Sequence, residues 1–312
     1  MTTFKEISGQ LIRTLSSDPT NPLEGQIWYN STIGVLKGYD LTFATWSSGG
    51  NLSTGRYALA GAGTQTSGLA FSGFDGTSMV GTAEEYNGSS WSNGGVMGTA
   101  RYRLAGLGTQ TAALGTRGFA PAHVGPTGAT EEYDGTTWTA GGTNPVVGST
   151  SSNSGATGTQ TAGLNFGGSP TENSSHEYDG STWTAGGTLN TGRSIRTGAG
   201  TLTAGLAFGA TTATESYDGT SWTTLNSLTN NAEGGNGDLQ TAAIAIAPSG
   251  ATELWDGTNW SSSGATAAVP RNDFSAAGTK TSALKFGGNP PITNSTEEFT
   301  GAFFSTKTLT TS

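Results

Sequence analysis

The stretch EEYDGTTW, residues 131–138, decides the fold because it recurs. Close copies are EEYNGSSW at 84–91, HEYDGSTW at 176–183, ESYDGTSW at 215–222 and ELWDGTNW at 253–260, with a worn copy, EEFTGAFF, at 297–304. The terminal aromatics of these copies are spaced by 47, 45, 39, 38 and 44 residues. A second motif precedes each copy: GTQTSGLAFSG (63–73), GTQTAALG (108–115), GTQTAGLNFGG (158–168), GTLTAGLAFGA (200–210), GDLQTAAIAIA (237–247) and GTKTSALKFGG (278–288). Each unit therefore holds four short apolar or aromatic runs separated by turn residues. That is the pattern of a propeller blade, a sheet too small to bury its own face and completed by its neighbours.

Within the octapeptide, Asp134-Gly135 predicts a two-residue type I′ hairpin, which places Tyr133 opposite Thr136 and Glu131 opposite Trp138. Tyr and Trp then become diagonal neighbours on one face, available to the next blade. In LNFGG (164–168), Leu164 and Phe166 alternate onto one face, and the glycine pair admits close backbone approach.

Composition agrees. The 312 residues include 51 Gly without a three-residue period, 9% aromatics and only 11% charged residues, which suits short strands and turns better than disorder. Net charge is −9 and no basic run occurs, so nucleic acid is not an expected partner. Cysteine is absent, which removes disulfides, thiolate nucleophiles and thiolate metal ligands, and no metal or cofactor is expected. No apolar run reaches membrane-spanning length, and MTTFKEISGQ does not read as a signal peptide. A particle assembled in a host cytoplasm and released by lysis would need none.

LNFGG (164–168) followed by Tyr178 and Trp183, repeated along residues 56–304, resembles the kelch repeat, although Tyr and Trp are five residues apart and not six. The resemblance implies an all-β propeller of four-stranded blades. Galactose-oxidase-like enzymes share this pattern, but their site needs a Cys-modified Tyr and histidine-held copper, and here there are no Cys and two distant His. The Asp box of sialidase propellers places one residue between Asp and Gly, whereas Asp134 and Gly135 are adjacent.

Residues 1–48 admit two readings. GQIWYNSTIGVLKGYDLTFATW (25–46) can be laid over residues 205–222, matching Tyr39 to Tyr217 and Trp46 to Trp222, with 7–18 as the missing strand. That gives seven blades, the favoured count. The alternative is six blades, residues 49–312, plus an attachment segment. SSDPTNPLEGQIWYNSTIGVLKGY (16–39) and the tandem units resemble virion structural and tail-fibre-like proteins of marine tailed phages, of the cyanophage type. The resemblance implies a non-enzymatic protein on the phage particle surface: a fibre or adhesin contacting a host glycan or protein, or else a capsid or tail decoration without a receptor. It implies other virion proteins as partners, chiefly through residues 1–48, and leaves room for a homo-oligomer. A glycan-degrading enzyme is the remote alternative.

Candidate residues divide accordingly. Trp46, Tyr86, Trp91, Tyr133, Trp138, Tyr178, Trp183, Tyr217, Trp222, Trp255 and Trp260 recur once per unit and are expected to pack blade against blade. Glu131 and Glu132 invite comparison with a glycosidase carboxylate pair, but a catalytic pair occurs once and this one is repeated, so a solvated strand face is expected. His176 replaces a repeat Glu and reads as a tolerated substitution. The least repetitive loops are 115–129, with Arg117, Phe119 and His123 as a candidate contact surface, and 226–238.

Overall fold

The computed structural model describes residues 12–120, 127–145 and 152–309. Among them are 28 strands in seven four-stranded sheets, so the chain is all-β as expected. Two compact units divide these sheets: Thr45–Gly301, and a smaller one of Met1–Ala44 with Ala302–Ser312.

Thr45–Gly301 holds six sheets. Blade 1 comprises Ala60–Thr64, Ser67–Phe71, Thr82–Tyr86 and Trp91–Val96. Blade 2 comprises Ala105–Thr109, Ala112–Thr116, Thr130–Tyr133 and Trp138–Ala140. Blade 3 comprises Gly155–Thr159, Ala162–Gly168, Glu172–Tyr178 and Trp183–Ala185. Blade 4 comprises Thr197–Thr201, Ala204–Gly209, Thr211–Tyr217 and Trp222–Leu225. Blade 5 comprises Gly234–Leu239, Ala242–Ile246, Ala251–Trp255 and Trp260–Thr266. Blade 6 takes Ser275–Thr279, Ser282–Phe286 and Thr296–Thr300 from one end of the repeat region and Thr45–Ser48 from the other. The innermost strands touch in cyclic order, blade 6 against blade 1 included, so these six sheets close on one another.

Blade 6 revises the alignment of the N-terminal region. Trp46 pairs with Phe299, not with a sheet containing Tyr39. Phe304 lies in a different strand, Phe303–Leu309, opposite Leu41. The two most degraded copies, 39–46 and 297–304, are each split between two sheets: Trp46 and Glu297–Thr300 lie in blade 6, Tyr39 and Phe304 in the paired strands Val35–Thr42 and Phe303–Leu309.

The smaller unit holds the seventh sheet: Arg13–Leu15, Ile27–Asn30, Val35–Thr42 and Phe303–Leu309. Its first two strands are parallel, unlike any pair in the blades. Asp18 organises it by accepting from Trp28 Nε1 at 3.0 Å, Asn30 Nδ2 at 2.9 Å and Lys37 Nζ at 2.6 Å. The Lys37 bond above all holds the Asp18 carboxyl down at about 2.

The octapeptide hairpin also differs from expectation. Tyr133 pairs directly with Trp138, Glu132 with Thr139 and Glu131 with Ala140, so the loop has four residues. Only Gly135 takes a positive φ, at 94°. Asp134 caps the loop instead of turning it: Oδ1 accepts from the backbone of Thr136 at 2.8 Å and Thr137 at 2.7 Å, and both hydroxyls bond the carboxylate. A carboxylate serving four donors outweighs the positive φ a type I′ turn would demand of Asp. The glycine pair behaves as expected: a Cβ on Gly287 would stand 2.6 Å from the Arg56 carbonyl, and φ there is 66°.

Candidate functional site

The repeated side chains are occupied in holding the blades together. Tyr133 and Trp138 stack at 4.9 Å, and Trp138 packs on Phe71 of the preceding blade, also at 4.9 Å. Phe166 with Trp222, Phe208 with Trp260 and Phe286 with Trp91 repeat that contact between neighbours. Tyr178 with Trp183, Tyr217 with Trp222, Tyr86 with Trp91 and Trp255 with Trp260 repeat it within a blade.

Polar locks follow the same period. Tyr133 Oη donates to Glu85 at 2.7 Å, Tyr178 Oη to Glu132 and Tyr217 Oη to Glu177 at 2.5 Å, and Tyr86 Oη to Glu298, each on the preceding blade. Gln110 Nε2 reaches back to the Gly68 and Tyr86 carbonyls at 2.9 and 2.8 Å, and Gln65, Gln160 and Gln240 do likewise.

The first glutamate of each copy is not on a solvated face. Glu84, Glu131, Glu215, Glu253 and Glu297 are buried. Arg56, Arg101, Arg193 and Arg271 pair with Glu84, Glu131, Glu215 and Glu297 at 2.6, 3.0, 2.5 and 3.0 Å. A buried carboxylate needs compensating donors, and in these four units an upstream arginine supplies them, whereas Glu253 accepts from the Thr229 and Asn230 amides at 2.9 and 2.8 Å. The paired acids that suggested glycoside chemistry are therefore spent as acceptors, one within its blade and one toward the next.

Arg117 and His176 belong to this same system. Arg117 is fully buried, not presented on a contact loop, and bonds Glu172 at 3.0 Å and the Pro145 carbonyl at 2.9 Å. Its Nη2 lies 3.0 Å from His176 Nδ1, which must accept because a guanidinium can only donate. Burial, then the Arg117 charge, pushes the His176 pKa down to about 4. In blade 3 a His and an upstream Glu thus replace the usual glutamate. His123 lies outside the described residues.

One lock is missing. Trp91, Trp183, Trp222, Trp260 and Trp46 donate Nε1 to Thr296, Thr130, Ser175, Thr214 and Thr252 of the preceding blade. Trp138 Nε1 is buried without a partner, and Ala83 stands where the others have a hydroxyl. Ala83→Ser is expected to stabilise the fold by ~1 kcal/mol, raising Tm by about 2–4 °C. A thermal melt checks this; an unchanged or lower Tm would mean that the serine hydroxyl does not reach the indole.

Departures from the repeat collect at one end of the central channel. Ala58, Arg103, Asn153 and Asp273 there have φ of 51, 56, 56 and 52°, outside the ordinary range for side-chain-bearing residues. They are linked edge to edge: Ala58 N donates to Asp273 O at 2.7 Å, Arg103 N to Ala58 O at 2.7 Å and Asn153 N to Arg103 O at 3.1 Å. Blades 4 and 5 add Arg196 and Glu233. Arg196 bonds Asn153 at 3.0 Å, Glu233 at 2.7 Å and Asp273. The segment 226–238 delivers Glu233 and Asn236 to this mouth. The opposite end, a cavity of about 260 Å³, repeats Thr64, Thr109, Thr159, Thr201 and Thr279, with Asp238 as the one change.

Beside the mouth, blades 1 and 2 carry a contiguous aromatic strip. Tyr57 meets Phe74 at 5.7 Å, Phe74 meets Tyr102 at 6.1 Å, and Tyr102 meets Phe119 at 5.5 Å. All four rings are half-buried. Tyr57 with Phe74 and Tyr102 with Phe119 bridge matching loops, and the same bridge in blade 6 is Asn272 with Asn289. Phe119 thus lies in the strip, while Tyr57, Phe74, Tyr102 and Arg103 were missed. The signal for Tyr57, Tyr102 and Arg103 was available in the doublet RYAL (56–59) and RYRL (101–104), which precedes only two of the units.

No family model matches the chain, and no curated protein matches it.

Proposed function

We propose that the protein is a non-enzymatic virion component of a tailed phage, a tail fibre or adhesin whose kelch-like blades present a recognition face to the host surface. The observation that carries this reading is the aromatic strip Tyr57–Phe74–Tyr102–Phe119 at a polar channel mouth. Half-buried rings next to hydrogen-bonding side chains suit the apolar faces and hydroxyl edges of sugars. The blades hold these groups rigid, so little ordering entropy opposes binding.

The smaller unit supports attachment to other virion proteins. It exposes Leu23, Ile33 and Phe43 at 75, 56 and 74%, apolar side chains available to a protein partner. On the alternative reading, decoration without a receptor, that unit does all the binding.

The test is retention of the purified protein on isolated envelope of the host. Phe74→Ala with Phe119→Ala is expected to weaken retention at least tenfold. Asn289→Ala, at the matching loop of blade 6, is expected to leave it unchanged. Equal loss from both sites, or no retention by the parent protein, would favour decoration.

A further inference from the structure

Seven arginines lie in Thr45–Gly301. Six of them, Arg56, Arg101, Arg117, Arg193, Arg196 and Arg271, have a carboxylate within 4 Å. Arg103 has none among the described residues, and its buried Nε has no hydrogen-bond partner. It occupies the channel mouth in a left-handed conformation, φ 56°, which holds its Cα in the ring formed with Ala58, Asn153 and Asp273. Its guanidinium lies over the Tyr102 ring at 5.6 Å, where that ring sits between Phe74 and Phe119 in the aromatic strip. It lines a cavity of about 50 Å³ with Asn153, Arg196 and Asn236. That space admits a few waters or the tip of a small planar group.

Arg56, Arg101, Arg193 and Arg271 also leave Nε without a partner, but each pairs its terminal nitrogens with a carboxylate, which Arg103 does not do among the described residues. At the mouth, Glu233 and Asp273 are both engaged by Arg196, and the Arg103 fork has no direct carboxylate partner among the described residues. We propose that Arg103 is an anion-binding residue that takes the carboxylate or sulfate of an acidic sugar, with the adjoining sugar rings lying on Tyr102 and Phe119. The planar fork of a guanidinium fits such a group with two parallel hydrogen bonds. This rests on the adhesin reading and narrows its ligand to an acidic glycan. Asn153, at the matching position of blade 3, is suited to bind a hydroxyl beside the anion.

The experiment is calorimetric titration of the full chain with three probes: tetragalacturonate, its methyl ester and a sulfated carrageenan tetrasaccharide. The Arg103 Nε–H signal is followed in parallel by NMR. At least one acidic probe is expected to bind and to shift that signal, while the ester binds at least tenfold more weakly. The two acidic arms show whether carboxylate or sulfate is preferred. Arg103→Asn places in blade 2 the residue that blade 3 uses in the same left-handed conformation, so the fold should survive, as an unchanged Tm would show. That variant is expected to lose at least tenfold in affinity for the acid and nothing for the ester. Arg103→Lys, which keeps the charge and loses the fork, should fall between. Equal binding of acid and ester, or an Arg103→Asn variant that binds the acid as the parent does, would overturn the proposal while leaving the adhesin reading in place. No binding of any probe would also overturn it, and retention on host envelope would then decide the adhesin reading separately.

Discussion

Glu131→Ala is expected to destabilise the protein by about 3–5 kcal/mol, out of a total that for a folded domain is of order 5–15 kcal/mol. The side chain does three things at once. It accepts the Gly98 and Thr99 amides at 2.6 and 3.2 Å and faces the Arg101 guanidinium at 3.0 Å. Arg101 is fully buried and also donates to the Arg117 and Ala129 carbonyls. Burial pulls the Arg101 pKa below its ordinary value, and Glu131 pulls it back. Removing the carboxylate leaves a cation in a low-dielectric interior with two amides unpaired, and neither water nor a neighbour can replace it. The paired change Arg101→Met with Glu131→Leu removes both charges and keeps the volume, so it should cost much less than the single substitution. By contrast Glu132→Ala takes one acceptor from Tyr178 Oη, which still accepts from Gly142 N at 3.3 Å, and a loss of about 1–3 kcal/mol is expected. Denaturant melts of the three variants give the ordering. A Glu131→Ala cost no greater than that of Glu132→Ala would show that the first glutamate is not the buried partner.

That prediction marks where the sequence was legible and where it was not. Strands, turn positions and the packing role of Tyr and Trp were readable because local chemistry repeats: Tyr133, Asp134, Gly135 and Trp138 sit within six residues, and five of the six units keep a Trp at the end. The role of Glu131 was not readable, because its partner Arg101 lies 30 residues upstream, in the linker between blades. Alternation along a strand says which side chains share a face, not whether that face meets water or a buried arginine. Pairing of Trp46 with Phe299 is more distant still and depends on ring closure, which no local pattern encodes. The same limit governs the candidate site. Phe119 was found because its loop breaks the repeat, whereas Arg103 and Arg196 were hidden in ordinary linker composition. Arg117 was misread because an irregular loop in sequence was taken for an exposed one.

The inter-blade tyrosines make the fold sensitive to alkali. Tyr86, Tyr133, Tyr178 and Tyr217 each have a phenol pushed up to about 12, by burial first and then by the hydrogen bond to a glutamate of the preceding blade. In the unfolded chain a tyrosine ionises near 10. Between about pH 10 and 12 the folded form therefore holds up to four more protons than the unfolded form, and stability must fall as pH rises through that window. Lys285 acts in the opposite sense and earlier. Burial lowers its ammonium to about 8, so between 8 and its ordinary 10.5 the unfolded chain binds the extra proton and stability rises with pH. One lysine against four tyrosines predicts a modest gain above pH 8, then a steep loss above 10. Phenolate absorbance at 295 nm should show these four tyrosines un-ionised at pH 11, then ionising together with loss of near-ultraviolet circular dichroism. Cooperativity is the distinguishing feature, because a phenol clamped between two blades cannot ionise without separating them. Tyr133→Phe keeps the ring on Trp138, removes one titrating group and should make the alkaline loss less steep by about a quarter. If all four phenols instead ionised smoothly near pH 10 with the fold intact, their hydroxyls would be in contact with water, and the Tyr–Glu bonds would not be what holds neighbouring blades together.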